Sequence, residues 1–179
     1  MSNKQTIWEG KYLAVVKDGT WEYVERRDDI GAAVIVAMDG EHVLLIEQER
    51  IPIGRACLEL PAGLVGDEDA GESLVDAAAR ELEEETGYRA ESVKNLGEFY
   101  SSPGMTSERF SIVRATGLTR TGEPEEGITL HRVPPADLPR FIRDRRAAGI
   151  GIDAKLLLLL SLEMLDGDGN LAEIVGIAL

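Results

Sequence analysis

A mixed α+β sandwich, a sheet covered by helices, is the fold class this sequence predicts, and three observations predict it. Short runs rich in apolar and β-branched residues, at 11–16, 20–26, 32–38, 43–46, 57–60, 92–100, 110–116 and 129–133, are separated by Gly, Pro, Asp and Ser clusters. Helical periodicity replaces them in an acid-rich stretch that ends at Gly87 and in two later stretches, 134–145 and 153–165. The two kinds of element do not alternate as regular βαβ units, which argues against a doubly wound parallel sheet.

The elements follow in order. Residues 11–16 and 20–26 flank Lys17-Asp18-Gly19, whose Asp-Gly pair is a strong hairpin signal. Residues 1–29 therefore read as an N-terminal β-hairpin appendage, and 30–179 as the main domain. There, 32–38 and 43–46 flank Asp39-Gly40-Glu41-His42 as a second hairpin, which continues into the strand at 57–60. The acid-rich helix comes next. Asp69 with Glu72 three residues on reads as its capping box, and Gly87 suits the left-handed position after its last turn. Strands at 92–100 and 110–116 bracket the loop 101–108, a strand at 129–133 follows, and the two last helices close the chain. The final one is strongly apolar and is expected in the core.

Composition narrows the class. The chain has 179 residues, 44% of them hydrophobic, enough for one good core. A formal charge of −14 and a pI near 4.6 disfavour binding to nucleic acid or to an anionic membrane surface. An anionic phosphorylated ligand then needs cations to screen it. Cys57 is the single cysteine, so no intrachain disulfide forms, and its apolar neighbours suggest a buried small hydrophobe. The N-terminus lacks an apolar signal region, and the longest apolar run, 156–160, is far too short to span a bilayer. A cytoplasmic protein is the expectation.

The most informative segment is Arg80-Glu81-Leu82-Glu83-Glu84-Glu85-Thr86-Gly87-Tyr88. At about 100° per residue, Glu81, Glu84 and Glu85 fall within a quarter to a third of the helix circumference, beside an apolar stripe of Val75, Ala78, Ala79 and Leu82. On that geometry the acids face a cleft edge. Carboxylates this close repel one another unless a hard cation neutralises them, and oxygen ligation selects magnesium, manganese or calcium. A solvated helix carrying Asp76/Arg80 and Arg80/Glu84 pairs is the plainer alternative; the ordered pattern around it decides against that reading.

With Glu72 eight positions before Arg80, the segment resembles the signature of the Nudix hydrolases, which cleave nucleoside diphosphates linked to another moiety. The tail, Arg80 to Tyr88, matches at every defined position. The head departs from it: the glycine of Leu60-Pro61-Ala62-Gly63 stands nine residues before Glu72 where the family has six, as a three-residue insertion within 66–71 explains. The loop Ser102-Pro103-Gly104-Met105-Thr106-Ser107-Glu108-Arg109, the stretch Ile46-Glu47-Gln48-Glu49-Arg50-Ile51-Pro52 and the late Ile152-Asp153-Ala154-Lys155-Leu156 resemble the ADP-ribose pyrophosphatase and nucleoside-diphosphate-sugar subgroup. The resemblance implies a Nudix-type α/β/α sandwich with a mixed sheet.

It also implies roles. Glu81 and Glu85 hold Mg2+, for which Mn2+ is a possible substitute, with the backbone carbonyl of Ala62, while Glu84 bridges or orders a metal-bound water. Arg80 orients a carboxylate, and Glu72 either joins the metal set or locks the preceding loop. Arg50 reaches the diphosphate. Glu108 and Arg109 either contact the terminal ribose or pair with each other, and Pro103 shapes their loop. Arg26 and Arg27 help bind the nucleotide, line a dimer interface or simply sit in solvent at a strand end. The subgroup places a catalytic glutamate on a loop after the Ser102-like segment, and Glu126, before the strand entering at 128, fits better than Glu123 or Glu125. Trp8, Tyr12, Trp21 and Tyr23 cluster in the hairpin, which in such proteins is exchanged across a homodimer; they serve as interface core, base platform or both. The implied reaction is metal-dependent hydrolysis of ADP-ribose to AMP and ribose 5-phosphate. GDP-mannose or another sugar nucleotide is the alternative substrate, and a non-catalytic nucleotide-sensing module the more distant one.

Overall fold

The computed structural model describes residues 3–66 and 71–160. Strands β1 (Lys4–Glu9), β2 (Leu13–Asp18) and β3 (Trp21–Arg26) form an antiparallel sheet in that order. The expected hairpin is β2 with β3; β1 adds a third strand to it. All six β1 residues are exposed, so the strand carries no inside–outside alternation to betray it in the sequence.

Strands β4 (Ala32–Asp39), β5 (His42–Arg50), β6 (Arg55–Glu59) and β7 (Ala62–Leu64) precede helix α1 (Leu74–Thr86). After it come β8 (Tyr88–Arg89), β9 (Ser92–Tyr100), β10 (Arg109–Thr116), β11 (Thr119–Arg120), β12 (Thr129–Val133), helix α2 (Leu138–Ala147) and β13 (Gly151–Ile152). The main sheet runs β13-β6-β5-β4-β10-β9, with β12 also on β5 and β7 also on β4. It is mixed: β10 lies parallel to β4 and β13 parallel to β6, while the other ladders are antiparallel.

Central strand β4 explains the layering. Its residues are buried on both faces, and successive side chains alternate between two cores. Ala33, Ile35 and Ala37 pack with Ala78 and Leu82 of α1. Val34 and Val36 pack in the cluster that contains Leu138 and Ile142 of α2 and Leu156. The result is the expected helix–sheet–helix sandwich.

Three local expectations change. Ser73, not Asp69, caps α1: its Oγ accepts the Asp76 N–H at 3.2 Å, while Asp69 lies outside the described residues. Glu72 is thereby released to bond Arg80. The helix expected at 134–145 is a 3₁₀ turn, Pro135–Asp137, followed by α2; Pro134 stays extended at ψ 137° because a residue that precedes a proline disfavours the α conformation. The apolar segment near the end is a 3₁₀ stretch, Ala154–Leu160, opened by the Leu156 N–H donating to the Asp153 carbonyl at 3.0 Å; residues 161–165 of the expected helix lie outside the described residues. Leu156 is fully buried, as expected of that segment. Among the described residues no helix is long and apolar enough to cross a membrane.

Candidate active site

Helix α1 buries Ala77, Ala78, Leu82, Glu85 and Thr86. Ala78, Leu82 and Glu85 stand at i, i+4 and i+7, one helical face, so Glu85 shares the apolar arc while Glu81 and Glu84 stay half-buried beside it. This corrects the expectation that all three acids face the cleft edge and that Val75, which is exposed, belongs to the stripe. Glu85 accepts the Ala62 N–H at 2.8 Å and a longer 3.4 Å bond from Gln48 Nε2. Burial pushes its carboxyl up to about 7; the Ala62 N–H opposes that rise, and the neighbouring charge of Glu81 adds to it.

The turn Pro61-Ala62-Gly63 lies directly on this acid row. A Cβ on Gly63 would sit 2.0 Å from Glu81 Oε1, so only glycine admits the carboxylate there. Arg80 gathers the remaining acids. Its Nε donates to Glu72 Oε1 at 3.0 Å, its Nη1 donates to Glu84 Oε2 at 2.9 Å, and the same Nη1 lies 3.0 Å from Glu81 Oε1. These bonds raise the proton affinity of the guanidinium and hold the Glu72 carboxyl below its ordinary range. Glu72 also accepts the Gly66 N–H at 3.3 Å, the loop-locking contact of its two expected roles.

Among the described residues no three acidic, histidine or cysteine side chains converge as a ready-made metal cage. Glu81 and Glu84 turn to Arg80, and Glu85 to the Ala62 N–H. The donor chemistry nevertheless suits a hard dication: every donor is oxygen, and Glu85, whose carboxyl is raised mainly by burial, has the Glu81 charge beside it as a smaller contribution.

An open cleft of about 900 Å³ adjoins this row. Ala62, Gly63 and Glu81 line it from the α1 side, Arg50, Cys57 and Glu59 from β5 and β6, Arg26 from the end of β3, and Ser101, Glu108, Asp153 and Lys155 from the segments after β9, before β10 and after β13. Three of the cations lining it, Arg50, Arg26 and Lys155, are held by acids. Arg50 binds Glu59 through Nε (2.8 Å) and Nη2 (2.6 Å), and Arg26 binds Glu108 Oε1 through the same two nitrogens (3.0 and 2.7 Å). Ser101 Oγ donates to the other Glu108 oxygen at 2.9 Å. Burial works to raise the Glu108 carboxyl, but Arg26 and Ser101 more than offset it and leave it lowered. Lys155 Nζ lies 2.6 Å from Asp153 Oδ2 and 5.7 Å from the Phe110 ring centroid. Burial and Glu59 push the buried Cys57 thiol up to about 11, so it is no nucleophile at neutral pH.

The cleft therefore brings Ala62, Glu81, Arg50 and Glu108 together, with Glu85 behind Ala62. Other expected residues stand apart. Arg27 lines a separate depression with Lys4 and Glu25, and its Nε pairs with Glu9 at 3.1 Å. Pro103 lines another, beside Trp21 and Tyr23. Arg109 lines a third and pairs with Glu98 at 3.2 Å, whereas Glu108 pairs with Arg26 in the cleft. Glu126 is exposed on the loop between β11 and β12. That loop docks on the end of α1, where the Glu125 N–H donates to the Glu84 carbonyl at 2.9 Å and the Thr121 N–H to the Gly87 carbonyl at 2.8 Å. Trp8, Tyr12 and Trp21 are exposed. Glu59 and Ser101 receive no role from the sequence, and Lys155 appears there only within the segment 152–156; for Glu59 the signal was a lone carboxylate between Leu58 and Leu60 in an apolar strand.

The family profile of the NUDIX domain matches residues 27–151. An uncharacterized Nudix hydrolase of Schizosaccharomyces pombe is 43% identical over 103 residues, 53% of this chain and 49% of that protein. An ADP-ribose pyrophosphatase of Mycobacterium tuberculosis is 41% identical over 133 residues, 69% of this chain and 62% of that protein. The chain thus spans between about half and two thirds of these relatives. A crystal structure of an ADP compounds hydrolase superposes with a TM-score of 0.69 at 23% identity, covering 93% of this chain and 95% of that one, a likeness of fold.

Proposed function

The chain belongs to the NUDIX domain family, and from that premise we propose that it hydrolyses the diphosphate bond of ADP-ribose, giving AMP and ribose 5-phosphate. The observation that carries this reading is the single cleft joining the Ala62-Gly63-Glu81 turn to Arg50 and to the Arg26–Glu108 pair: acids for a dication at one wall, guanidinium groups for phosphate and a carboxylate for hydroxyls at the others. The name of the Mycobacterium tuberculosis relative supports the choice of ADP-ribose.

In this reading Glu81, Glu85 and Glu84, with the Ala62 carbonyl, hold magnesium, or manganese in its place. When bound, the ion supplies neutralising charge to the diphosphate oxygens and acidity to a water. Arg50 orients the diphosphate, and Glu108 accepts hydrogen bonds from the terminal ribose hydroxyls. Water attacks one phosphorus in line with the bridging oxygen; the P–O bond to that oxygen breaks, and Glu126 takes the proton the water gives up. Arg80 keeps Glu84 and Glu81 oriented. Arg27, Arg109 and Pro103 line neighbouring depressions, from which they act on substrate only indirectly. The exposed Ile7, Trp8, Tyr12 and Trp21 support a homodimer with exchanged N-terminal sheets, in which those aromatics are covered.

The test is turnover on ADP-ribose, GDP-mannose, a dinucleoside polyphosphate and NADH, with and without magnesium, for the parent, Glu85→Gln and Glu126→Gln. ADP-ribose should lead, magnesium should be required, and Glu126→Gln should cost about 10²–10⁴-fold in kcat. Preference for GDP-mannose would transfer the reading to a sugar nucleotide, and undiminished turnover by Glu85→Gln would remove the metal assignment. Tight binding of ADP-ribose with no turnover by the parent would point to a nucleotide sensor.

A further inference from the structure

We propose that Glu59 is a positioning residue: it lays the Arg50 guanidinium along the floor of the cleft so that its remaining N–H groups are aimed at the substrate's diphosphate. This rests on the hydrolytic reading above, and adds to it a residue that reads the diphosphate only through another.

The register of β5 on β6 carries the argument. Directly opposite Glu59 stands Ile46, whereas Arg50 stands opposite Arg55, four residues along the strand. At about 3.3 Å per residue the two backbones are offset by roughly 13 Å, so both side chains must stretch toward each other over the Gln48–Cys57 pair between them. An arginine facing another arginine across a ladder would ordinarily extend into water, away from the like charge. Arg50 instead turns back.

What holds it is a nearly buried carboxylate, 5% exposed, whose two oxygens each accept one bond from Arg50 in the planar fork geometry. A guanidinium has five N–H bonds, and two are spent on Glu59. The other three lie in the plane that Glu59 sets, in the cleft shared with Ala62 and Glu81. Half-exposed arginine is among the most mobile of side chains, and fixing it in advance removes that loss of freedom from the binding step. Glu59 also cancels the Arg50 charge, so the diphosphate is met by direction more than by net attraction. A lysine at 50 would keep the charge and lose the fork.

The experiment is a double-mutant cycle on ADP-ribose at saturating magnesium, with Glu59→Gln, Arg50→Ala and the pair, read by turnover and by calorimetric binding of ADP-ribose. Glu59→Gln should raise KM about tenfold with a smaller change in kcat. The pair should be no worse than Arg50→Ala alone within about twofold, because the lost function is the same one. Arg50→Lys should resemble Glu59→Gln. If Glu59→Gln does not fold, Glu59→Asp replaces it in the cycle, with the same non-additivity expected from its shortened reach. Losses that multiply in the pair, or a Glu59→Gln variant with unchanged KM, overturn the proposal while leaving hydrolysis intact. Binding that depends on Arg50 and Glu59 together, without turnover of any substrate by the parent, supports the clamp and removes the hydrolytic reading.

Discussion

At the scale of single residues, Glu85 concentrates the tension in this molecule. It occupies a position that helical periodicity assigns to the core, and burial lifts its carboxyl from the ordinary 4.5 to about 7. An acid that holds its proton more tightly when folded favours the fold while protonated. That contribution is fully present below pH 4.5 and is lost as the pH rises through about 7. In the presence of a chelator the parent should therefore lose on the order of 3 kcal/mol between pH 4.5 and 8 relative to Glu85→Gln, as measured by urea denaturation at a series of pH values. A constant difference between the two proteins across that range would show that Glu85 does not titrate there. Added magnesium should flatten the parent's profile, since a dication takes over the role of the proton. The neighbouring Arg80 shows the opposite case: three carboxylates surround one guanidinium, and its bond to Glu72 holds that carboxyl below its ordinary range.

Elements place these residues. Helix α1 is stopped by Gly87 at φ 72°, and its last turn doubles as the dock for the loop that carries Glu126. A Cβ on Gly87 would meet the Gly122 carbonyl oxygen at 2.3 Å, so the helix stop and the loop dock are one contact. Gly40, in the turn between β4 and β5, has a similar φ of 59° with nothing within 4 Å of a Cβ, and so isolates the backbone cost. Gly40→Ala should cost about 1–2 kcal/mol of stability with unchanged turnover. Gly87→Ala should cost more and also lower kcat, because the loop must move off the helix; thermal melts and turnover on both variants decide it. The start of α1 teaches a related lesson. Asp69 with Glu72 is the cap expected from the sequence, whereas Ser73 with Asp76 is the one the structure forms. With Ser73 as the cap, Glu72 is free to bond Arg80 two turns further along the helix.

For the whole molecule, the exposed aromatic surface and the charge set the expectations. A formal charge of −14 keeps copies apart unless an apolar surface draws them together. Ile7, Trp8, Tyr12 and Trp21, each at least 58% exposed, supply one on the N-terminal sheet. Light scattering should give twice 19.5 kDa for the parent, and Trp8→Lys with Trp21→Lys should shift it toward a single chain. A parent that scatters as one chain at micromolar concentration would dismiss the exchanged dimer. The same sheet reaches the cleft through the Arg26–Glu108 pair and through the Val24 N–H bonded to the Met105 carbonyl at 3.0 Å, so the surface proposed for assembly and the cleft proposed for substrate share a segment.

The sequence by itself determined the layers, most of the strands, the acid row of α1 and the glycine that stops it, because these follow from local periodicity and from the conformations that single residues allow. It also held the motif that named the family. Only the tertiary structure decided that Glu85 is buried, that β10 runs parallel to β4, that Arg109 turns away from the cleft while Glu108 turns into it, and that Glu59 grips Arg50. Each of those facts joins segments far apart in the chain or depends on which face a side chain finally presents, and neither is encoded in any short window. Pairing across the sheet is settled by the burial of all its strands at once, so the partners of a charged side chain emerge only when the whole core has closed.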